Sequence, residues 1–243
     1  MASTPAGDAF RRARDLLLTH RDDPAAARAA FEWPDVGDHF NWAVDWFDQI
    51  ADGNDAVALR VVEEDGSEAS RTFAQLRDRS NQVANWFASI GIRRGDPVML
   101  MVDNRVELWE TMLAVMKAGA VILPTSIVLG PAELAERIDR AGVRAVVADT
   151  TDAAKFDDLD PDLVRVIIGG ERAGWHPFTD ADTASTAAPG VVVDSGDASI
   201  VYFTSGTTSR PKMVEHTHLS YPVGHLSTMY WIGVQPGDVH MTI

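Results

Sequence analysis

The sequence predicts an α/β fold, a layered and mostly parallel sheet flanked by helices, and three observations predict it. From residue 97 onward, short apolar runs alternate with amphipathic helical patterns, the order that βαβ units require. The runs are apolar almost throughout instead of alternating with polar residues, as strands covered on both faces must be. Glycines such as Gly91 and Gly142 follow the helical patterns directly and end them, because a helix commonly closes on a left-handed residue.

Taken in order, residues 10–18 and 40–50 read as amphipathic helices joined by a stretch bearing Pro and Asp, with Phe40, Trp42, Trp46 and Phe47 in the second. They form an N-terminal helical wrap over residues 1–55. Residues 56–63 and 68–72 flank Asp65-Gly66, the pattern of a short β-hairpin. Thr72 and Gln75 have capping-box spacing, and Phe73, Leu76, Val83, Trp86, Phe87 and Ile90 share one helical face. There follow a strand at 97–102, a helix at 106–117, a strand at 120–123, a helix at 131–141, and strands at 143–148 and 163–168. After the weakly hydrophobic stretch 179–189, a strand at 198–203 leads into a hydroxyl-rich loop. His216 ends a further strand, and Thr217 caps the next helix, which carries Trp231. Residues 56–243 thus read as one α/β subdomain. The apolar run 239–243 resembles the opening of a strand, so the chain reads as truncated at its C-terminus. An unpaired edge there predicts a homodimer or a self-associating species.

Lys and Arg number 21 against 36 Asp and Glu, a net charge of −15, and the basic pairs Arg11-Arg12 and Arg93-Arg94 stand among acids. Nucleic acid is therefore excluded as a partner, since phosphate neutralisation needs a basic patch or stripe. The absence of cysteine rules out disulfides, thiolate metal sites and cysteine nucleophiles, and fits a cytoplasmic protein. The first twenty residues lack the apolar core of a secretory signal. Residues 118–130, the most apolar stretch, are interrupted by Pro124, Thr125 and Ser126, so no membrane span is predicted. His216, His218, His225 and His240 raise the idea of zinc, but no acidic cluster completes a ligand set, and no metal site is predicted. At helical spacing the tryptophans read as core, Trp231 excepted.

The segment SIVYFTSGTTSRPKMVEH carries the chemistry. Thr204, Ser205, Gly206, Thr207, Thr208 and Ser209 place five hydroxyls and one glycine at the end of an apolar strand, with Lys212 shortly after. Hydroxyl donors, backbone N–H groups and one ammonium are what several phosphate oxygens require. The spacing is not that of a Walker A loop, in which two glycines four residues apart precede Lys-Ser/Thr.

Thr204 to Lys212 resembles the phosphate-binding signature of the adenylate-forming superfamily of AMP-dependent synthetases and ligases. The resemblance continues, in the same order, through SRTFAQLRDRSNQVANWFASIGIRRGDPV and MVDNRVELWETMLAVMKAGAVILP. VYFTSGT with PKMVEHTH and WIGVQPGDVHMTI is most similar to the N-terminal part of a medium-chain fatty acid acyl-CoA synthetase. The resemblance implies that a carboxylic acid attacks MgATP to give an acyl-adenylate and pyrophosphate, and that coenzyme A then displaces AMP. It implies that Thr204, Ser205, Gly206, Thr207, Thr208, Ser209 and Lys212 hold the ATP phosphates, and that His216 and Trp231 lie near an acyl or nucleotide pocket. Ser209 stands where the family usually has glycine, a departure that puts the loop backbone's approach to phosphate in question. The catalytic residues are expected downstream of Ile243, so the chain itself reads as catalytically incomplete. A non-catalytic nucleotide- or acyl-binding or dimerisation module, and an adenylation domain serving a carrier protein, remain alternatives.

Overall fold

The computed structural model describes residues 3–204 and 210–241. Helix α1 (Pro5–Thr19) starts where Pro5 can sit without a missing donor and where the Thr4 hydroxyl accepts the Gly7 N–H. Its apolar face, with Phe10, Ala13 and Leu17, packs on Phe40 and Trp46. The stretch expected to be a plain linker contains a seven-residue helix, α2 (Pro24–Ala30), capped by the Asp23 carboxylate. The segment read as one amphipathic helix over 40–50 is instead a π-helical turn, Trp42–Phe47, continuing into the short α3 (Asp48–Ala51). The Asn41 side chain accepts the Ala43 N–H while Asp45 accepts the Asn41 N–H, which fixes the start of this wider turn. Trp46 then packs toward α1, whereas Phe47 enters the core beneath the sheet.

Strands β1 (Val57–Val62) and β2 (Glu68–Thr72) pair antiparallel as a separate hairpin. Helix α4 (Phe73–Ser89) follows with the expected capping box: Thr72 Oγ1 accepts the Gln75 N–H at 3.1 Å, and Gln75 Oε1 accepts the Thr72 N–H at 2.9 Å. The βαβ region then runs β3 (Pro97–Met101), α5 (Val106–Lys117), β4 (Val121–Pro124), α6 (Pro131–Ala141), β5 (Ala145–Asp149), β6 (Val164–Ile168) and the two-residue β7 (His176–Pro177). It closes with β8 (Ala198–Thr204), β9 (Lys212–Thr217) and α7 (Ser220–Ile232). The main sheet has the order β7-β6-β5-β3-β4-β8-β9 and is parallel except for β8 against β9.

Alternate residues of each central strand supply two cores. Val98, Leu100, Ile122 and Val147 face α4 and α5, while Met99, Met101, Leu123 and Val146 pack with Leu134 and Ile138 of α6. Each fully buried side chain of this kind contributes about 1.5–3 kcal/mol. At the α5–β4 turn Gly119 has φ +66°, and a Cβ there would stand 2.7 Å from Val193 Cγ1, so both backbone and space demand glycine. No helix among the described residues is long and apolar enough to cross a membrane.

One ion pair lies wholly inside. Lys117, ending α5, and Asp48, opening α3, both have zero side-chain exposure, and Nζ stands 2.7 Å from Oδ1. The Lys117 ammonium also donates to Asn81 Oδ1 at 2.8 Å and to the Arg77 carbonyl at 3.2 Å. Burial pushes the Lys117 ammonium below its ordinary range and the Asp48 carboxyl above its own, and each charge opposes the other's shift. Nearby, buried Glu110 joins α5 to β2 and α4, accepting from Arg71 at 2.9 Å and from Arg79 at 3.2 Å.

Candidate functional site

Parallel sheets offer ligands the carboxyl ends of their strands. Strand β8 leaves the sheet there, between β4 and the antiparallel β9. Six residue pairs set its register with β9, and the last pair is Thr204 opposite Lys212. Thr204 Oγ1 donates to the Lys212 carbonyl at 3.5 Å, and both residues are exposed. Thr204 and Lys212, eight residues apart in sequence, are thus neighbours in space at the two ends of the hydroxyl-rich segment. Ser205, Gly206, Thr207, Thr208 and Ser209 lie outside the described residues.

The stems are held from both faces of the hairpin. On one face Tyr202 of β8 meets Tyr221 of α7, with the two hydroxyl oxygens 2.7 Å apart. Burial, together with the Tyr221 hydroxyl, pushes the Tyr202 phenol well above its ordinary range. His216 lies in the same half-buried cluster, its ring centroid 5.4 Å from that of Tyr221 and 6.3 Å from that of Tyr202. His225 completes it at 4.6 Å from Tyr221, and partial burial beside His216 lowers its basicity. Thr217 is not the N-cap expected of it, since α7 starts at Ser220 with Leu219 as its cap; it instead braces the turn into the helix, its hydroxyl accepting the Ser220 N–H at 3.0 Å while the Ser220 hydroxyl accepts the Thr217 N–H at 2.9 Å. On the other face Phe203 lies beneath the guanidinium groups of Arg137 and Arg140.

Trp231 is 87% exposed on the last turn of α7 and belongs to none of the three apolar clusters. His218 is buried just beyond β9, its backbone N–H donating to the Asp197 carbonyl at 3.0 Å. Among the described residues no three His, Asp or Glu side chains converge as metal ligands. The residues that the sequence reading passes over are Tyr202, Tyr221, Arg137 and Arg140. The two tyrosines flank the motif and could have been found there, but the α6 arginines meet it only through long-range packing.

A second feature on the carboxyl-end side is an open cleft of about 560 Å³ at the ends of β3 and β5, beneath the β1–β2 hairpin. Its lining holds five carboxylates, from Glu63, Asp103, Glu107, Asp149 and Asp152, against the guanidinium groups of Arg71 and Arg105. Arg105 is already committed, at 2.8 Å to Glu107 and 2.6 Å to Asp149, and these two carboxylates raise its basicity further. This balance of charge is unfavourable to a polyphosphate, which leaves the β8–β9 hairpin as the better anion site.

The sequence matches the family described as AMP-binding enzyme over residues 46–243. It is 32% identical over 209 residues to 4-hydroxybutyrate–CoA ligase 1 of Metallosphaera sedula, covering 84% of this chain and 36% of that protein. It is 31% identical over 217 residues to the human mitochondrial acyl-coenzyme A synthetase ACSM2B, covering 84% of this chain and 38% of that protein. The chain therefore spans somewhat more than a third of the length of these relatives. Among solved structures, the acyl-CoA synthetase of Brucella canis superposes with a TM-score of 0.64 at 27% identity, over 76% of this chain and 35% of its own. A family match over four-fifths of the sequence, in the same α/β architecture and with the Thr204–Lys212 pairing at the sheet's carboxyl edge, places the chain in the AMP-binding enzyme family of the adenylate-forming superfamily.

Proposed function

We propose that the β8–β9 hairpin is the phosphate end of an adenylation site, and that the protein containing this chain is an acyl-CoA synthetase acting on a medium-chain fatty acid. The observation that carries this reading is the register of Thr204 against Lys212, which brings a hydroxyl-bearing and an ammonium-bearing residue opposite one another at the carboxyl edge of the parallel sheet. In this reading residues 56–243 form the subdomain that bears the site, and residues 1–55 form the wrap packed on it. The carboxylate of the substrate acid attacks the α-phosphorus of ATP, the bond to the β-phosphate bridging oxygen breaks, and pyrophosphate leaves with that electron pair. Coenzyme A then displaces AMP from the acyl-adenylate. Thr204 and Lys212, with Ser205 through Ser209 between them, hold the β- and γ-phosphates and meet the charge that grows on the leaving group. Mg²⁺ enters as part of the MgATP substrate. His216, at the junction of β9 and α7, borders the nucleotide or acyl side of this site, and Trp231 offers an apolar surface further along α7.

The medium-chain assignment rests on the resemblance of VYFTSGT, PKMVEHTH and WIGVQPGDVHMTI, and the match to ACSM2B supports an acyl-CoA synthetase without naming a chain length. The Metallosphaera relative, named for a short hydroxy acid, supports a shorter substrate. ATP–pyrophosphate exchange on the protein containing this chain, with carboxylic acids from C2 to C12 and 4-hydroxybutyrate, decides between them. Lys212→Ala and Thr207→Ala are each expected to reduce the exchange rate by roughly 10- to 150-fold, the loss of about 1.5–3 kcal/mol of charge-assisted hydrogen bonding. Exchange at the wild-type rate in both variants would sink the phosphate assignment.

A further inference from the structure

We infer that Arg140 of α6, assisted by Arg137, is a positioning residue for the phosphate hairpin, an inference that rests on the phosphate reading given above. The two arginines are three residues apart near the end of α6 and share a helix face. Both guanidinium groups stack on Phe203, the residue before Thr204, with carbons 5.1 Å (Arg137) and 5.5 Å (Arg140) from the ring centroid. Arg140 also reaches across the hairpin: its Nη2 donates to the Pro211 carbonyl at 3.0 Å, one residue before Lys212. One side chain therefore grips the strand that enters the site and the strand that leaves it. Glu136, one turn earlier, pairs with Arg140 Nη1 at 3.0 Å and holds the guanidinium in that orientation. Arg137 Nε is buried and has no hydrogen-bond partner among the described residues, so its contribution is the stack and its charge.

The clamp has a specific consequence. Thr204 and Lys212 stand in an edge hairpin whose outer strand is largely exposed and, among the described residues, has no further strand beyond it. An edge strand held only by its neighbour frays at its open end. Arg140 ties that end to α6, whose Leu134 and Ile138 are anchored in the sheet core, so the pairing of the Thr204 and Lys212 backbones is set before a phosphate arrives. The guanidinium charges also lie beneath residues proposed to meet an anion.

Mg-pyrophosphate titrated against the 243-residue chain, with amide hydrogen exchange followed at residues 203–204 and 212–213, tests this. Arg140→Met is expected to speed exchange at those amides about tenfold, leave β3, β4 and β5 unchanged, and weaken Mg-pyrophosphate about tenfold. Arg140→Lys, which keeps the charge but not the planar fork, recovers affinity in part without restoring the slow exchange. Wild-type exchange at the stems in Arg140→Met overturns the clamp, as does acceleration spread evenly over the whole sheet. Failure of the wild-type chain to bind Mg-pyrophosphate counts against the phosphate reading, while stem exchange still decides whether Arg140 holds the hairpin.

Discussion

Lys117→Met lowers the stability of the protein by about 3–5 kcal/mol, because it leaves the Asp48 carboxylate buried without its cation. Methionine matches the lysine stem in length and apolar character, so lost packing contributes little. The cost arises from the pair's position: both side chains are fully buried, and Asn81 Oδ1 also loses the Lys117 donor, while the Arg77 carbonyl keeps the Ser80 hydroxyl. Asp48 would take up a proton to avoid bearing an isolated charge, in the direction in which burial already pushes it. The double variant Lys117→Met/Asp48→Leu is expected to regain most of the loss, since an apolar pair of similar volume carries no desolvation penalty. Urea unfolding of the two variants measures both terms. A single-variant loss below about 1 kcal/mol would show that the pair does not bear on stability.

Acidification is expected to cost about 3 kcal/mol through His218 alone. This side chain is 1% exposed, its Nε2 has no hydrogen-bond partner among the described residues, and burial lowers its pKa from 6.5 to about 4. Asp197 draws the pKa upward and Arg94 pushes it down, both more weakly than burial does. The unfolded chain takes up the proton first, so the neutral form's contribution is complete above pH 6.5. It declines as pH falls toward 4 and is lost below that, a shift worth about 1.4 kcal/mol per pH unit. Asp48 and Glu110, whose carboxyls burial pushes upward, act in the opposite sense, so the His218 part is isolated by comparison with His218→Leu. Across pH 7.5, 6, 5 and 4.5 the unfolding free energy of the wild type is expected to fall steadily relative to that of His218→Leu. Parallel curves would refute a neutral buried imidazole.

Features encoded within one element were legible in the sequence. The Thr72–Gln75 capping box and the Gly142 stop each involve groups within a few residues of one another, and each stands where expected. The apolar runs of β3, β4 and β5 were legible because burial on both faces removes nearly every polar residue, Asp149 at the end of β5 excepted. The seven-residue α2, mostly alanine, has no apolar period to reveal it, and β7 is too short for any pattern. Aromatic spacing over 42–47 does not separate a π-turn from an α-turn, since both bring residues four or five apart to one side. Long-range partners were not legible: Asp48 meets Lys117 from 69 positions away, and Arg140 meets Pro211 from 71. At the site, the motif pointed to Thr204 and Lys212, but their pairing follows from β9 turning back antiparallel on an otherwise parallel sheet.

The most direct test of the account is an equilibrium titration of MgATP against this chain and its Lys212→Ala variant. The account predicts saturable binding that weakens by at least about tenfold in the variant, with unchanged thermal stability, because Lys212 is exposed and supports no core contact. Equal affinity in the two proteins, or no saturable binding by either, would contradict the assignment of the β8–β9 hairpin as a phosphate site.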